Sequence, residues 1–150
     1  MEVKITPLGN RDLDKFMQLI RIFEVVFDLK NAQDPTPEYL DRLLHKENFM
    51  VFVALVDEEV AGGLTAYVLE QYHSPKPLAY IYDLAVTKTF QRQGIGSLLM
   101  DKFREHCTAL GFEEIFVQAD QADREAVAFY RSTQPAGEQP ARHFYYTLEQ

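Results

Sequence analysis

The chain has 150 residues, 47% of them hydrophobic and 25% charged, which fits one soluble globular domain over residues 1–150 with a core of its own. A net charge of −8 argues against nucleic acid, whose phosphates want a basic surface, and favours a cationic substrate drawn in by the summed field. No apolar run is long enough to span a bilayer, the opening MEVKITPLG lacks a signal-peptide core, and the single cysteine fits a reducing compartment, so a cytoplasmic protein free of membranes is expected.

Val3 to Thr6 alternates as a short strand that Pro7 ends. Asp12 is a candidate cap for a helix whose apolar residues Leu13, Phe16, Met17, Ile20, Phe23 and Phe27 recur at helical spacing. Asn31 to Pro35 reads as a loop, and Thr36-Pro37 opens a second helix with Leu40, Leu43 and Leu44 turned inward. These helices and their polar connection read as a substrate lid; Asp28, Asp34 and Glu38 either meet a cation there or stay solvated.

Phe49–Val56 is a continuous apolar strand and Val60–Glu70 a second, with Asp57-Glu58-Glu59 as the hairpin turn. Gly62 and Gly63 mark a bulge or a close backbone approach. Tyr72–Pro77 is a loop, and Tyr80–Val86 reads as a buried strand. A helix follows from about Ile95 to Leu110, with Ile95, Leu98, Leu99, Phe103 and His106 along one side and Gly111 as its stop. Glu113–Asp120 is the next strand and Asp123–Arg131 the fourth helix. Ser132–Ala141 is irregular, and His143–Leu148 is a final aromatic strand. There is no internal repeat and no linker. Cys107 reads as a small core residue before a nucleophile, and His45, His73, His106 and His143 lack ligand spacing, so no metal is expected.

The chemistry concentrates in Tyr80–Gly96, YIYDLAVTKTFQRQGIG. A strand feeding a glycine-containing turn and a helix N-terminus is a ready anion site, because the first N–H groups of a helix have no internal partner and lie at the positive end of its dipole. Basic Lys88 and Arg92 lie in the connector. The pattern is neither a P-loop nor a dinucleotide fingerprint, and glycines at such a turn can also serve a tight connection alone.

Gln91-x-x-Gly94-x-Gly96 after Asp83-Leu84-Ala85-Val86 resembles the acetyl-CoA pyrophosphate signature of the GNAT N-acetyltransferases, and the order β-α-α-β-β-β-α-β-α-β is the arrangement of that superfamily. The resemblance implies an α/β fold with a central mixed sheet of about six or seven strands flanked by four helices. Three stretches further resemble the aminoglycoside 3-N-acetyltransferases of the gentamicin-modifying kind: YIYDLAV (80–86), Arg92-Gln93-Gly94-Ile95, and VQAD (117–120) with Ala126-Val127-Ala128-Phe129-Tyr130.

The resemblance implies acetyl-CoA as co-substrate and direct transfer to an amine with no acetyl-enzyme. Leu84, Ala85 and Val86 would pair with the pantetheine arm on a splayed strand, and the Val86 N–H would meet the thioester oxygen. Gln91, Arg92, Gln93, Gly94, Ile95, Gly96 and Ser97 would wrap the pyrophosphate. Ala126, Phe129 and Tyr130 would line the cofactor, with Tyr130 as general acid for the leaving thiolate. At the position of the family's pantetheine-binding Asn stands Asp123, and the usual Gly-Phe after the tyrosine is replaced by Ser132-Thr133-Gln134-Pro135. Asp83 and Asp120 border the expected cleft, where carboxylates bind ammonium groups and take a proton; the plainer readings are a turn cap for Asp83 and a helix cap for Asp120. Asp123, Glu70 and Glu125 are further acceptor-binding candidates.

The expected acceptor is a polycationic aminoglycoside, acetylated at the 3-amino group of its 2-deoxystreptamine ring, with antibiotic resistance as the consequence. The alternatives are a polyamine, small-metabolite or protein amine as acceptor, or a CoA-binding sensor without catalysis. The family is often dimeric, and the aromatic last strand (Phe144, Tyr145, Tyr146) could support a homodimer.

Overall fold

A computed structural model describes residues 2–29 and 34–149. The loop expected at Asn31–Pro35 therefore lies partly outside the described residues. The chain falls into two compact units, residues 1–118 and 119–150.

The first unit is a five-stranded sheet in sequence order: β1 (Val3–Pro7), β2 (Phe49–Val56), β3 (Glu59–Leu69), β4 (Leu78–Val86) and β5 (Glu114–Val117). The first four strands pair antiparallel, and β5 joins β4 in parallel. Asp57 and Glu58 both take positive φ (50° and 67°) in a two-residue turn, the geometry whose twist suits a tight hairpin. Two helices, α1 (Leu13–Val26) and α2 (Pro37–Leu44), follow β1, and α3 (Ile95–Ala109) follows β4 after a short 3-10 turn at Lys88–Phe90.

Strand period two sorts the core. Val51, Val53, Leu55 and Ala85 form one cluster with Phe16, Leu19 and Phe23 of α1 and Leu40 and Leu44 of α2. Phe52 points the other way and meets Phe103 of α3 edge-on at 5.3 Å. The α1 stripe includes Leu19, which is fully buried, while Phe27 is the helix's C-cap, partly exposed and stacked on Phe23. On α3 the buried face carries Met100 and Cys107 beside Ile95, Leu99 and Phe103, so Cys107 is a core residue. Thr36 caps α2 by accepting from the Tyr39 N–H at 3.2 Å. Asp12 stands at the α1 N-cap but turns its carboxylate back to the Gly9 N–H at 2.7 Å.

Gly62 and Gly63 are both close approaches. A Cβ on Gly62 would strike the Ala85 carbonyl and Val86; one on Gly63 would strike the Phe52 carbonyl and Leu19. The β2–β3 bulge itself falls at Ala61, because Ala54 pairs with Gly62 and Leu55 with Val60.

The second unit carries α4 (Arg124–Ser132) and an irregular tail. The expected final strand at His143–Leu148 does not form. Its backbone has no partner strand among the described residues, and Phe144, Tyr145, Tyr146 and Leu148 are exposed. High β-propensity cannot make a strand without a ladder to join. The sheet accordingly has five strands among the described residues in place of the six or seven expected. No helix among them is long and apolar enough to cross a membrane.

Candidate active site

The register of β4 builds the site. Its parallel pairing with β5 covers only Leu78–Ile81 against Glu114–Val117, so Leu84 to Val86 have no strand on that side among the described residues. The Thr87 N–H donates to the Ala61 carbonyl at 2.8 Å, the bond that flanks a non-hydrogen-bonded Gly62–Val86 pair. Val86 therefore turns its own N–H and C=O away from β3, toward the open side. Antiparallel alternation gives Leu84 the same orientation, while Ala85 faces the ladder with Gly63 and is buried. The Gln91 amide donates to the Val86 carbonyl at 2.8 Å, which leaves the Val86 N–H as the outward group.

The connector then doubles back. Arg92 takes φ 63° and Gly94 φ 82°, two left-handed residues within three positions, which turn the chain sharply into α3. Gly94 is the N-cap of α3 and has no side chain to satisfy the amides of the first turn. Those amides, from Ile95, Gly96 and Ser97, are free to take an anion. The open strand edge and the uncapped helix start are joined by the 3-10 turn and the loop that follows it.

A second bulge shapes the other half of the site. Thr65 pairs with Asp83 but Ala66 with Ile81, so Tyr82 is an extra residue in β4. The insertion puts Asp83 on the same face as Tyr80, Tyr67 and the α1 cluster. Asp83 is half-buried there, and burial holds its carboxyl above the usual carboxylate range. It is a strand residue, so the turn-cap reading does not apply. The Tyr67 phenol is likewise raised, first by burial and then by Tyr82, Tyr39 and Asp83.

The Acetyltransferase (GNAT) family sequence model matches residues 16–134. The chain belongs to the GNAT acetyltransferases. No curated protein matched it. Among solved structures it is similar to an aminoglycoside acetyltransferase, meta-AAC0020, from an uncultured soil metagenomic sample, solved with sisomicin and with trehalose: 56% identity, 98% of this chain and 97% of that chain, TM-score 0.97. A second soil metagenomic aminoglycoside acetyltransferase, HMB0005, is 32% identical over 99% of this chain and 100% of that one, TM-score 0.90. AAC(6')-Iy, solved with CoA, shares the fold at 15% identity over 98% of this chain and 95% of that one, TM-score 0.78.

With the GNAT frame in place, the predicted residues sort into groups. Asp83 to Val86 and Gln91 to Ser97 both belong to the first unit, with Thr87 to Phe90 between them. Gln91 and Gln93 spend their side-chain amides on the loop itself, Gln91 on Val86 and Gln93 on the Thr89 carbonyl at 3.4 Å. Glu70 lies just past β3, five residues along from the Thr65–Asp83 pair and thus about 16 Å away along the strand.

Asp120, Asp123, Glu125, Ala126, Phe129 and Tyr130 all belong to the second unit. Asp123, not Asp120, is the α4 N-cap and accepts from the Ala126 N–H at 3.1 Å. Asp120 folds the preceding turn, its carboxylate accepting from the Ala122 N–H at 2.9 Å. Phe129 and Tyr130 meet edge-on with centroids 5.0 Å apart. Among the described residues no group of three or more His, Cys, Asp or Glu is placed to hold a metal. Reading the sequence missed Tyr67 and Tyr82; no spacing in YIYD marks which tyrosine is the inserted one.

Proposed function

We propose that this chain is an acetyl-CoA-dependent aminoglycoside N-acetyltransferase that modifies the 3-amino group of the 2-deoxystreptamine ring. The observation that carries the reading is the open edge at Leu84–Val86 running into the uncapped start of α3. The 56% identity to an enzyme solved with sisomicin supports the acceptor class, as does the net charge of −8, which favours a polycation.

Acetyl-CoA supplies an acetyl group activated as a thioester. Leu84 and Val86 hold its arm by main-chain bonds, and the amides of Gly94 to Ser97 with Arg92 hold its phosphates. The Val86 N–H donates to the oxygen that gains charge when the acceptor nitrogen attacks, a contribution of about 3 kcal/mol in acyl transfer. Asp83 pairs with the acceptor's ammonium groups and takes the proton lost as the C–N bond forms. Tyr130 protonates the sulfur as the C–S bond breaks, and no acetyl group rests on the protein. Asp120, Asp123 and Glu125 add negative charge for the polycation, and the whole of 1–150 acts as one catalytic domain in the cytoplasm.

The test is steady-state transfer from acetyl-CoA to sisomicin, gentamicin and spermidine, with the product's acetyl position assigned by NMR. Turnover of the aminoglycosides at the 3-amino group is expected. Brisk turnover of spermidine with none of either drug would assign the site to polyamines instead. Binding of acetyl-CoA with no turnover of any amine would make the protein a CoA sensor.

A further inference from the structure

Phe49, Tyr67, Tyr80 and Phe116 are register partners on four successive strands: Phe49 pairs with Tyr67, Tyr67 with Tyr80, and Tyr80 with Phe116. One row of rings thus crosses the sheet from β2 to β5. The two outer pairs touch, at 5.1 Å between Phe49 and Tyr67 and 4.7 Å, nearly parallel, between Tyr80 and Phe116. Tyr82 joins the two halves. Its ring stands edge-on to both Tyr67 (5.8 Å) and Tyr80 (6.1 Å) and remains 60% exposed. The row sits where β5 stops pairing with β4, one step from Asp83.

Tyr82 thus presents most of its ring to solvent, on a bulge beside a half-buried carboxylate. The arrangement has the chemistry of an amino-sugar site: an aromatic face for the apolar C–H side of a ring and for ammonium groups, with a carboxylate at its rim. We propose that Tyr82, propped by Tyr67 and Tyr80, is the stacking platform for the cationic amino-sugar acceptor and a determinant of which acceptors are taken. This rests on the acceptor class proposed above. The bulge is the device that makes it: were Tyr82 paired in regular alternation, Asp83 would leave the tyrosine face and the platform would lose its charge partner.

The experiment is steady-state kinetics and calorimetric binding of sisomicin for the full chain and for Tyr82→Ala, Tyr82→Trp and Tyr67→Phe. Tyr82→Ala should raise KM and Kd for sisomicin about tenfold while leaving kcat and the KM for acetyl-CoA within about twofold. Tyr82→Trp should keep or tighten binding, and Tyr67→Phe, which keeps the prop, should change little. Equal sisomicin KM and Kd in wild type and Tyr82→Ala would overturn the platform alone, as would a loss in Tyr82→Ala that Tyr82→Trp fails to rescue. A wild type that neither binds nor acetylates sisomicin would overturn the acceptor class and the platform together.

Discussion

Tyr80 and Asp83 lie on the same face of β4 although they are three positions apart, with Ile81 and Tyr82 between them. In an uninterrupted strand they would point to opposite faces. The inserted Tyr82 restores the match, and it moves the only carboxylate of this strand off the α3 side, where an unpaired charge would be buried among Phe52, Phe103 and Ile81.

Asp83 carries a cost in stability for its position. Burial raises its carboxyl in the folded protein, so the folded state favours the protonated form. Its full contribution is present below the unfolded carboxylate value and is lost as pH rises through the raised folded one. Asp83→Asn should therefore raise the thermal midpoint at neutral pH, with the gain vanishing below about pH 4. The same variant should lose about 100-fold in transfer rate if Asp83 takes the acceptor's proton. Thermal melts at pH 3.5 and 7.5 beside an initial-rate assay check both; a destabilised or fully active variant contradicts this role.

Gly62→Ala and Gly63→Ala should separate stability from cofactor binding. Both would force a Cβ into backbone and cost about 1–3 kcal/mol. The displaced atoms differ. Gly62→Ala pushes on Ala85 and Val86, whose main chain faces the proposed arm, while Gly63→Ala pushes on Phe52 and on Leu19 of α1. The KM for acetyl-CoA should rise in the first and stay near wild type in the second, both measured well below their melting points.

Much of this frame is legible in the sequence, because its strands are strongly patterned. Phe49–Val56 carries eight apolar residues closed by Asp57-Glu58, and β2 has those boundaries. Gly111 stops α3 at φ 80°, in the conformation expected of a helix-ending glycine. What period and propensity do not reveal is pairing. The bulge at Tyr82 hides in YIYD, where every alternate register is aromatic or apolar. The tail at His143–Leu148 has strand composition and no ladder, and β5 ends at Val117 rather than Asp120, where the sequence turns polar. The role of Gln91 splits in the same way. Its place in the loop is readable from the motif, but its bond to the Val86 carbonyl is a tertiary fact.

That bond predicts a division of labour in the loop. Gln91→Ala should free the Val86 carbonyl and loosen the loop, since a hydrogen bond of this kind contributes about 1 kcal/mol. Gly94→Ala has open space for its Cβ but would sit at φ 82°, so its cost of about 1 kcal/mol is conformational. Both should weaken acetyl-CoA binding several-fold by calorimetry. Gly94→Ala should weaken binding of the adenosine diphosphate fragment more than Gln91→Ala does, because it alters the helix start directly.

Cys107 should be chemically silent in the native protein. It is buried on α3, and burial pushes its thiol up to about 11, so little thiolate exists at neutral pH. Incubation with an aromatic disulfide reagent at pH 8 should release no colour until denaturant is added and should leave turnover unchanged. Rapid modification with loss of activity would place the thiol in the chemistry.

Tyr130 is the sharpest test of direct transfer. Its ring packs on Phe129, and its carbonyl accepts from Thr133 at the end of α4, so Tyr130→Phe keeps the ring contact and the backbone bonds. The variant loses only the hydroxyl. If that hydroxyl protonates the leaving sulfur, kcat should fall about 100-fold while the Kd for acetyl-CoA stays within about twofold. A parallel loss of binding would mean that the hydroxyl positions the cofactor instead. An unchanged kcat would hand the proton transfer to solvent and leave the Val86 amide as the main contributor to the rate.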